Sequence, residues 1–286
     1  LDTLLLWLGA LLTASGVMFF FAYNWDDLGR FTRFALIEGV LVVALLAVWR
    51  LGLDKLSGKA ALMMAAVFVG VLLALVGQTY QTGADTYELF AVWSVLILPW
   101  ALLARFDALW MFWLLLVNVA ILLYYETFGG IFGILFGVEQ MLWLLFVINT
   151  GALLVWEWMV SRGQSQRRSI RWMTRLLATV SGGLITALAI LGVIGEGQWG
   201  GLLAPLVWVG WMACAYYWYL KVELDVYVLA IGVLSAIAVV STTLGRLVFD
   251  SGLDDAGGML LVSLCVIGLS AMGALWLRGV VNEVQT

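Results

Sequence analysis

The chain has 286 residues, of which 64% are apolar and 11% charged, with a mean hydropathy of +1.07; soluble domains carry roughly 45–50% apolar and about 25% charged residues. That excludes a soluble globular protein and leaves a multi-pass membrane protein. The net charge of −4 comes without a basic tail or stripe, which argues against a nucleic-acid partner. The absence of histidine removes bis-His haem, His-based zinc sites and Ser/His/Asp triads.

A helix needs about 20 apolar residues to cross the hydrocarbon core. Ten runs meet or approach that length, at 4 to 22, 31 to 49, 60 to 78, 89 to 104, 108 to 125, 140 to 158, 176 to 194, 202 to 219, 226 to 245 and 259 to 277. They are continuously apolar, without the alternation of a barrel strand, so the expected fold is all-α: a polytopic bundle of about ten spans forming one transmembrane domain over 1–286. Placing the 14 basic residues on alternate sides puts 11 on one side and Arg30, Arg33 and Arg246 on the other. Because Lys and Arg stay on the cytoplasmic side, both termini are expected there.

In chain order, the first polar stretch is YNWDDLGRFTRFALIE, 23 to 38. Asn24 or Asp26 can cap the next helix, and Asp26 and Asp27 can pair with Arg30. Glu38 falls about 10 Å below the membrane surface at 1.5 Å per residue, where a carboxylate costs on the order of 2–3 kcal/mol unless compensated. Arg33 is five residues away, about 140° around the same helix, so Arg246 is the expected partner. The second stretch, GQTYQTGADTYELF at 77 to 90, offers Gln78, Tyr80, Gln81 and Asp85, with Gly77 and Gly83 permitting irregular backbone. The third is STTLGRLVFD at 241 to 250, which contains Arg246. Together Glu38, Arg33, Arg246, Gln78, Tyr80, Gln81 and Asp85 form a candidate polar cavity on the extracytoplasmic side.

Residues 127 to 137 contain GGIFGILFG, too short to cross and too apolar for an open loop. A re-entrant or interfacial segment is expected, with Gly129, Gly133 and Gly137 as a helix-packing ridge. The longest hydrophilic connection, 159–175, separates six spans from four; its Arg162, Arg167, Arg168, Arg171 and Arg175 stand among no acids and can attract anionic lipid headgroups. Pro99 and Pro205 fall inside predicted spans and should kink or break them. Cys214 and Cys265 read as buried small hydrophobes without metal or dithiol spacing. Trp and Tyr near span ends, including Trp49, Trp156, Trp158 and Tyr216 to Tyr219, suit interfacial anchoring.

FFAYNWDDLGRFTRFALIEG and GQTYQTGADTYELFAVWSVLILPWALLARFDALW resemble the bacterial predicted-membrane-protein family called domain of unknown function 2157, over roughly residues 4 to 125. The resemblance implies a bacterial inner-membrane protein, with a short soluble segment upstream of Leu1, and no known activity. No cofactor, metal site or catalytic constellation is expected. The leading functional expectation is transport or gating of a small ion, proton or polar solute through the polar cavity; the rival is a scaffold or accessory subunit bound to other membrane protein chains. Topology is open to a direct test: cysteines introduced at positions 165 and 253 should label from opposite sides of the membrane, and labelling from one side would overturn the assignment.

Overall fold

The computed structural model describes residues 28–104, 106–128, 137–161, 171–195, 201–250 and 255–285, with single positions between 5 and 23. Among the described residues the regular structure is entirely helical. The helices are α1 (Arg30–Leu51), α2 (Leu56–Tyr80), α3 (Thr86–Ala104), α4 (Asp107–Phe128), α5 (Val138–Ser161), α6 (Trp172–Ile194), α7 (Leu203–Tyr217), α8 (Val226–Asp250) and α9 (Asp255–Gln285). A π-helical turn, Trp218–Val222, continues α7. Eight of these helices are long and apolar enough to cross a membrane. The α-helical part of α7, at 15 residues, is short for a span until the π turn is added. The expected run at 4 to 22 lies largely outside the described residues, as do Gly129, Gly133 and the arginines at 162, 167 and 168.

The helices extend beyond the apolar runs because polar residues at their ends continue the backbone ladder. Gln78, Thr79 and Tyr80 belong to α2, and Thr86 opens α3, so the irregular stretch expected over 77 to 90 shrinks to 81–85. Gln81 closes α2 in the left-handed region at φ 45°, and Gly83 takes φ 68°. Pro205 occupies the first turn of α7, where its missing N–H has no helical acceptor, so it starts the helix instead of breaking it. Pro99 sits within α3, which stays helical on both sides of it.

The chain forms two compact units, Leu1–Gly130 and Ile131–Thr286. In the first, α2 packs against α1 on one side and α3 on the other, and α3 pairs with α4. Ile37, Phe68 and Leu75 form the α1–α2 core with Phe34 and Leu41 around them. Leu62, Ala66, Ile97, Ala101, Leu109 and Leu116 fill the space among α2, α3 and α4. The Trp93 indole donates to the Ala66 carbonyl at 2.8 Å, and its ring lies over Gly70, where a Cβ would come within 2.3 Å of it. In the second unit α6 is central, packing on α5, α7 and α8, while α9 packs on α8. Large apolar side chains such as Val43, Val95, Leu103 and Leu264 are exposed, as befits helices whose outer solvent is lipid.

Overpacking a tight site typically costs about 1–3 kcal/mol. Gly70→Leu should therefore lower the melting temperature of the detergent-solubilised protein by several degrees. Gly39→Ala, with no atom within 4 Å of the added carbon, should leave it unchanged or slightly raised.

Candidate functional site

Six of the seven buried polar or charged residues among those described lie in the second unit: Asn149, Glu157, Thr174, Ser181, Asp225 and Ser235. They concentrate around α6, whose buried stripe Met173, Thr174, Leu177, Ala178, Ser181, Gly182, Ile185, Leu188, Ala189 and Gly192 recurs at helical spacing. Small residues in that stripe let neighbouring helices approach closely. The Trp211 ring from α7 rests on Gly182, where a Cβ would meet it at 2.9 Å, and Pro205 sits over Gly192.

Hydroxyl groups on α6 then tie the helices together. Thr150 on α5 and Ser181 share a hydrogen bond of 2.5 Å, and the Trp211 indole donates to Ser181 at 3.2 Å. Thr186 and Ser235 on α8 are 2.6 Å apart, and Trp208 donates to Ser235 at 2.9 Å. Burying each hydroxyl with a partner avoids the penalty of leaving it unsatisfied in an apolar medium.

Both α5 and α7 pack on α6, and a cleft of about 570 Å³ separates their facing sides. One wall carries Phe146, Thr150, Leu153, Leu154, Glu157 and Trp158, the other Val207, Gly210, Trp211, Cys214, Ala215, Trp218 and Tyr219. Each set follows i, i+3/i+4 and i+7/i+8 spacing, the signature of a single helix face. Glu157 is the carboxylate of the cleft. It is 7% exposed and lies four residues, about 6 Å, inside the end of α5 at Ser161. The Tyr219 hydroxyl donates to its Oε1 at 3.2 Å and the Trp218 indole to its Oε2 at 3.4 Å. Both donors are neutral, and among the described residues Glu157 forms no ion pair.

The π turn that carries those donors is held from the other side. Asp225, whose side chain has no exposure, accepts from Arg175 Nε at 3.1 Å and lies 3.6 Å from Arg171 Nη1. Arg171 also pairs with Glu223 at 2.7 Å and donates to the Glu223 carbonyl at 3.1 Å. Asp225 caps α8 by accepting the Tyr227 N–H at 3.1 Å, two residues into the helix. The start of α6, the start of α8 and the residues that follow the π turn are thus fastened by one set of charges.

The residues expected to form an extracytoplasmic cavity are spread over both units. In the first, Arg33 Nε donates to the Leu28 carbonyl at 2.9 Å, and Tyr80 packs 6.1 Å from the neighbouring Phe34, centroid to centroid. Gln78, Gln81 and Asp85 are exposed around the end of α2 and the start of α3, and Asp85 accepts the Glu88 N–H at 3.0 Å through its carbonyl. Glu38 is exposed on α1, without an ion pair among the described residues. In the second unit Arg246 donates to the Val193 carbonyl and pairs with Asp250 at 3.4 Å, at the rim of a cavity of about 760 Å³ bounded by Gly192, Pro205 and Thr243. Gly137 accepts the Met141 N–H at the start of α5.

Other expectations change in detail. Trp156 and Tyr219 are 3% exposed each, so they are core residues instead of interfacial anchors; Trp49, at 77%, suits an anchor. Cys214 is exposed at the rim of the cleft instead of buried. Arg171 and Arg175 are matched by acids from the connection between α7 and α8, a pairing invisible along the sequence. Glu157 was missed altogether, although a lone carboxylate between two tryptophans inside an apolar run was a readable signal.

Removing one member of a buried ion cluster costs about 3–5 kcal/mol because its partners are left uncompensated. Asp225→Ala should therefore destabilise the protein strongly in thermal unfolding. Arg175→Ala should cost much less, since its side chain is 48% exposed and Arg171 remains beside Asp225.

The comparisons with known proteins bear on the first unit. No curated protein and no solved structure matches the chain. Residues 1–110 match the family model described as "Predicted membrane protein (DUF2157)", so the stretch carrying the two polar motifs is similar to that family.

Proposed function

We propose that this chain is a transport-type protein of the bacterial inner membrane, with ten spans and both termini in the cytoplasm, and that it moves a small ion or solute. The observation that supports the reading is Glu157, a carboxylate inside a membrane-spanning helix that borders an open cleft and pairs with no cation among the described residues. An ionisable residue within a membrane-spanning helix is by default a functional-site hypothesis. Glu38 and the polar residues of the first unit are, in this reading, a second place on such a path. Arg162, Arg167 and Arg168 serve in this reading as topology determinants that meet anionic headgroups. In this reading the role is not enzymatic.

An accessory-subunit role rests on a different observation. The apolar window of α9 buries none of its residues, and Met259, Leu260, Leu264, Ile267, Met272 and Leu275 are all exposed. That flank fits another membrane protein as well as it fits lipid.

Reconstitution into liposomes separates the two. Uptake of a panel of labelled amines, amino acids, sugars and alkali cations should exceed the protein-free baseline at least tenfold for some solute, and Glu157→Gln should abolish it while the protein stays folded. If Glu38→Gln abolishes uptake and Glu157→Gln does not, the cargo site lies in the first unit. Absence of uptake for every solute, with a second membrane protein co-purifying at equal stoichiometry, would replace transport by the accessory role.

A further inference from the structure

The cleft between α5 and α7 has a composition that selects among ligands. Its volume of about 570 Å³ lies within the range of small-molecule sites, roughly 300–1,000 Å³. Four of its thirteen lining residues are Trp or Tyr, and Phe146 adds a fifth aromatic ring. The polar groups are few. Thr150 is occupied by Ser181, and the Tyr219 hydroxyl is directed to Glu157. That leaves one carboxylate whose charge is met, among the described residues, by two neutral donors, although a carboxylate has about four acceptor positions.

A bare metal ion needs six or more oxygens if it is calcium, or an octahedral set if it is magnesium, and the cleft cannot supply either. An anion would meet Glu157 unfavourably. A neutral apolar molecule would fill the walls but leave the carboxylate uncompensated in a medium where that is costly. An organic cation satisfies both halves: its charge pairs with Glu157, and its substituents lie against aromatic faces that also attract cations. Arg171, held beside the residues that follow the π turn, already serves Glu223 and Asp225. The rim residues Leu154, Trp158 and Cys214 are exposed, so the opening is bordered mainly by apolar side chains. A ligand that partitions into the bilayer can therefore reach it.

We propose that the α5–α7 cleft binds a lipophilic organic monocation, an ammonium or phosphonium centre flanked by apolar groups, with Glu157 as counter-ion and Trp158, Trp211, Trp218 and Tyr219 as walls. The proposal names the ligand class for the site on which the transport reading rests.

The test is equilibrium binding of radiolabelled tetraphenylphosphonium to the full chain in nanodiscs, with empty nanodiscs subtracted and tetraphenylborate as the isosteric anion. Saturable binding of the cation near one per chain is expected, with no saturable binding of the anion. Glu157→Gln should weaken cation binding at least tenfold while retaining the hydrogen-bonding shape of the side chain. Gly210→Leu gives a second arm: a carbon added at Gly210 meets nothing within 4 Å, so the larger side chain should occupy the cleft and block binding without disturbing the fold. Absence of saturable binding, equal binding of both ions, or binding unchanged by Gly210→Leu would overturn the proposal. Saturable binding with no uptake in liposomes would leave the ligand class standing and defeat transport. Glu157-dependent uptake of another solute, without tetraphenylphosphonium binding, would do the reverse.

Discussion

The fully buried Asp225 carboxylate needs a cation beside it, which Arg171 and Arg175 supply, and much of the second unit follows from that requirement. Both arginines belong to the beginning of α6, and the acid belongs to the beginning of α8. Burying an unpaired charge costs several kcal/mol or more, whereas a fully hydrogen-bonded set roughly breaks even. The cluster therefore contributes position more than stability. It fixes the height of α8 against α6, caps α8, and holds the three residues that follow the π turn.

Deeper in the unit the helices are held by a different kind of contact. Lipid tails are as apolar as Leu, so burying Leu between helices gains little over leaving it in the bilayer. Close approach and buried hydrogen bonds decide the association instead. Ser181 and Gly182 on α6 show both: the serine joins Thr150 and Trp211, and the glycine admits the Trp211 ring. With α5 and α7 each committed to α6 in this way, their own facing sides do not close on one another. The cleft is thus a by-product of where the small residues lie. The first unit has the same tactic in Gly70 and Trp93 without a comparable collection of buried polar groups among its described residues.

The helical class and most helix positions were legible because a span must be long, apolar and internally hydrogen-bonded. Helix ends were less so: Gln78 to Tyr80 and Thr86 to Glu88 are polar, and nothing in hydropathy says that a polar turn stays helical. Interior polar contacts were hardest to read. Thr186 and Ser235 lie 49 residues apart, and Arg171 and Glu223 lie 52 apart, so their meeting depends on helix packing that no local pattern encodes. The basic-residue asymmetry drew attention to acids on the opposite side and away from Glu157, Glu223 and Asp225. Glu157 needed only to be noticed as a charge within an apolar run. Its closeness to Trp218 and Tyr219 needed the fold.

The π-helical turn adds a consequence of another sort. Successive residues on a regular α-helix point about 100° apart, so two neighbours seldom reach one group. A π turn amounts to one residue more than the α-helical path requires, and here the consecutive Trp218 and Tyr219 both reach the Glu157 carboxylate. Loss of a single residue from 220 to 222 would restore the α-helical phase and swing the two donors apart, even if every remaining side chain were kept. Gain of one would do comparable harm. Over these five positions the information resides in length, and a relative of this protein with every aromatic in place but a different spacing would have a different cleft.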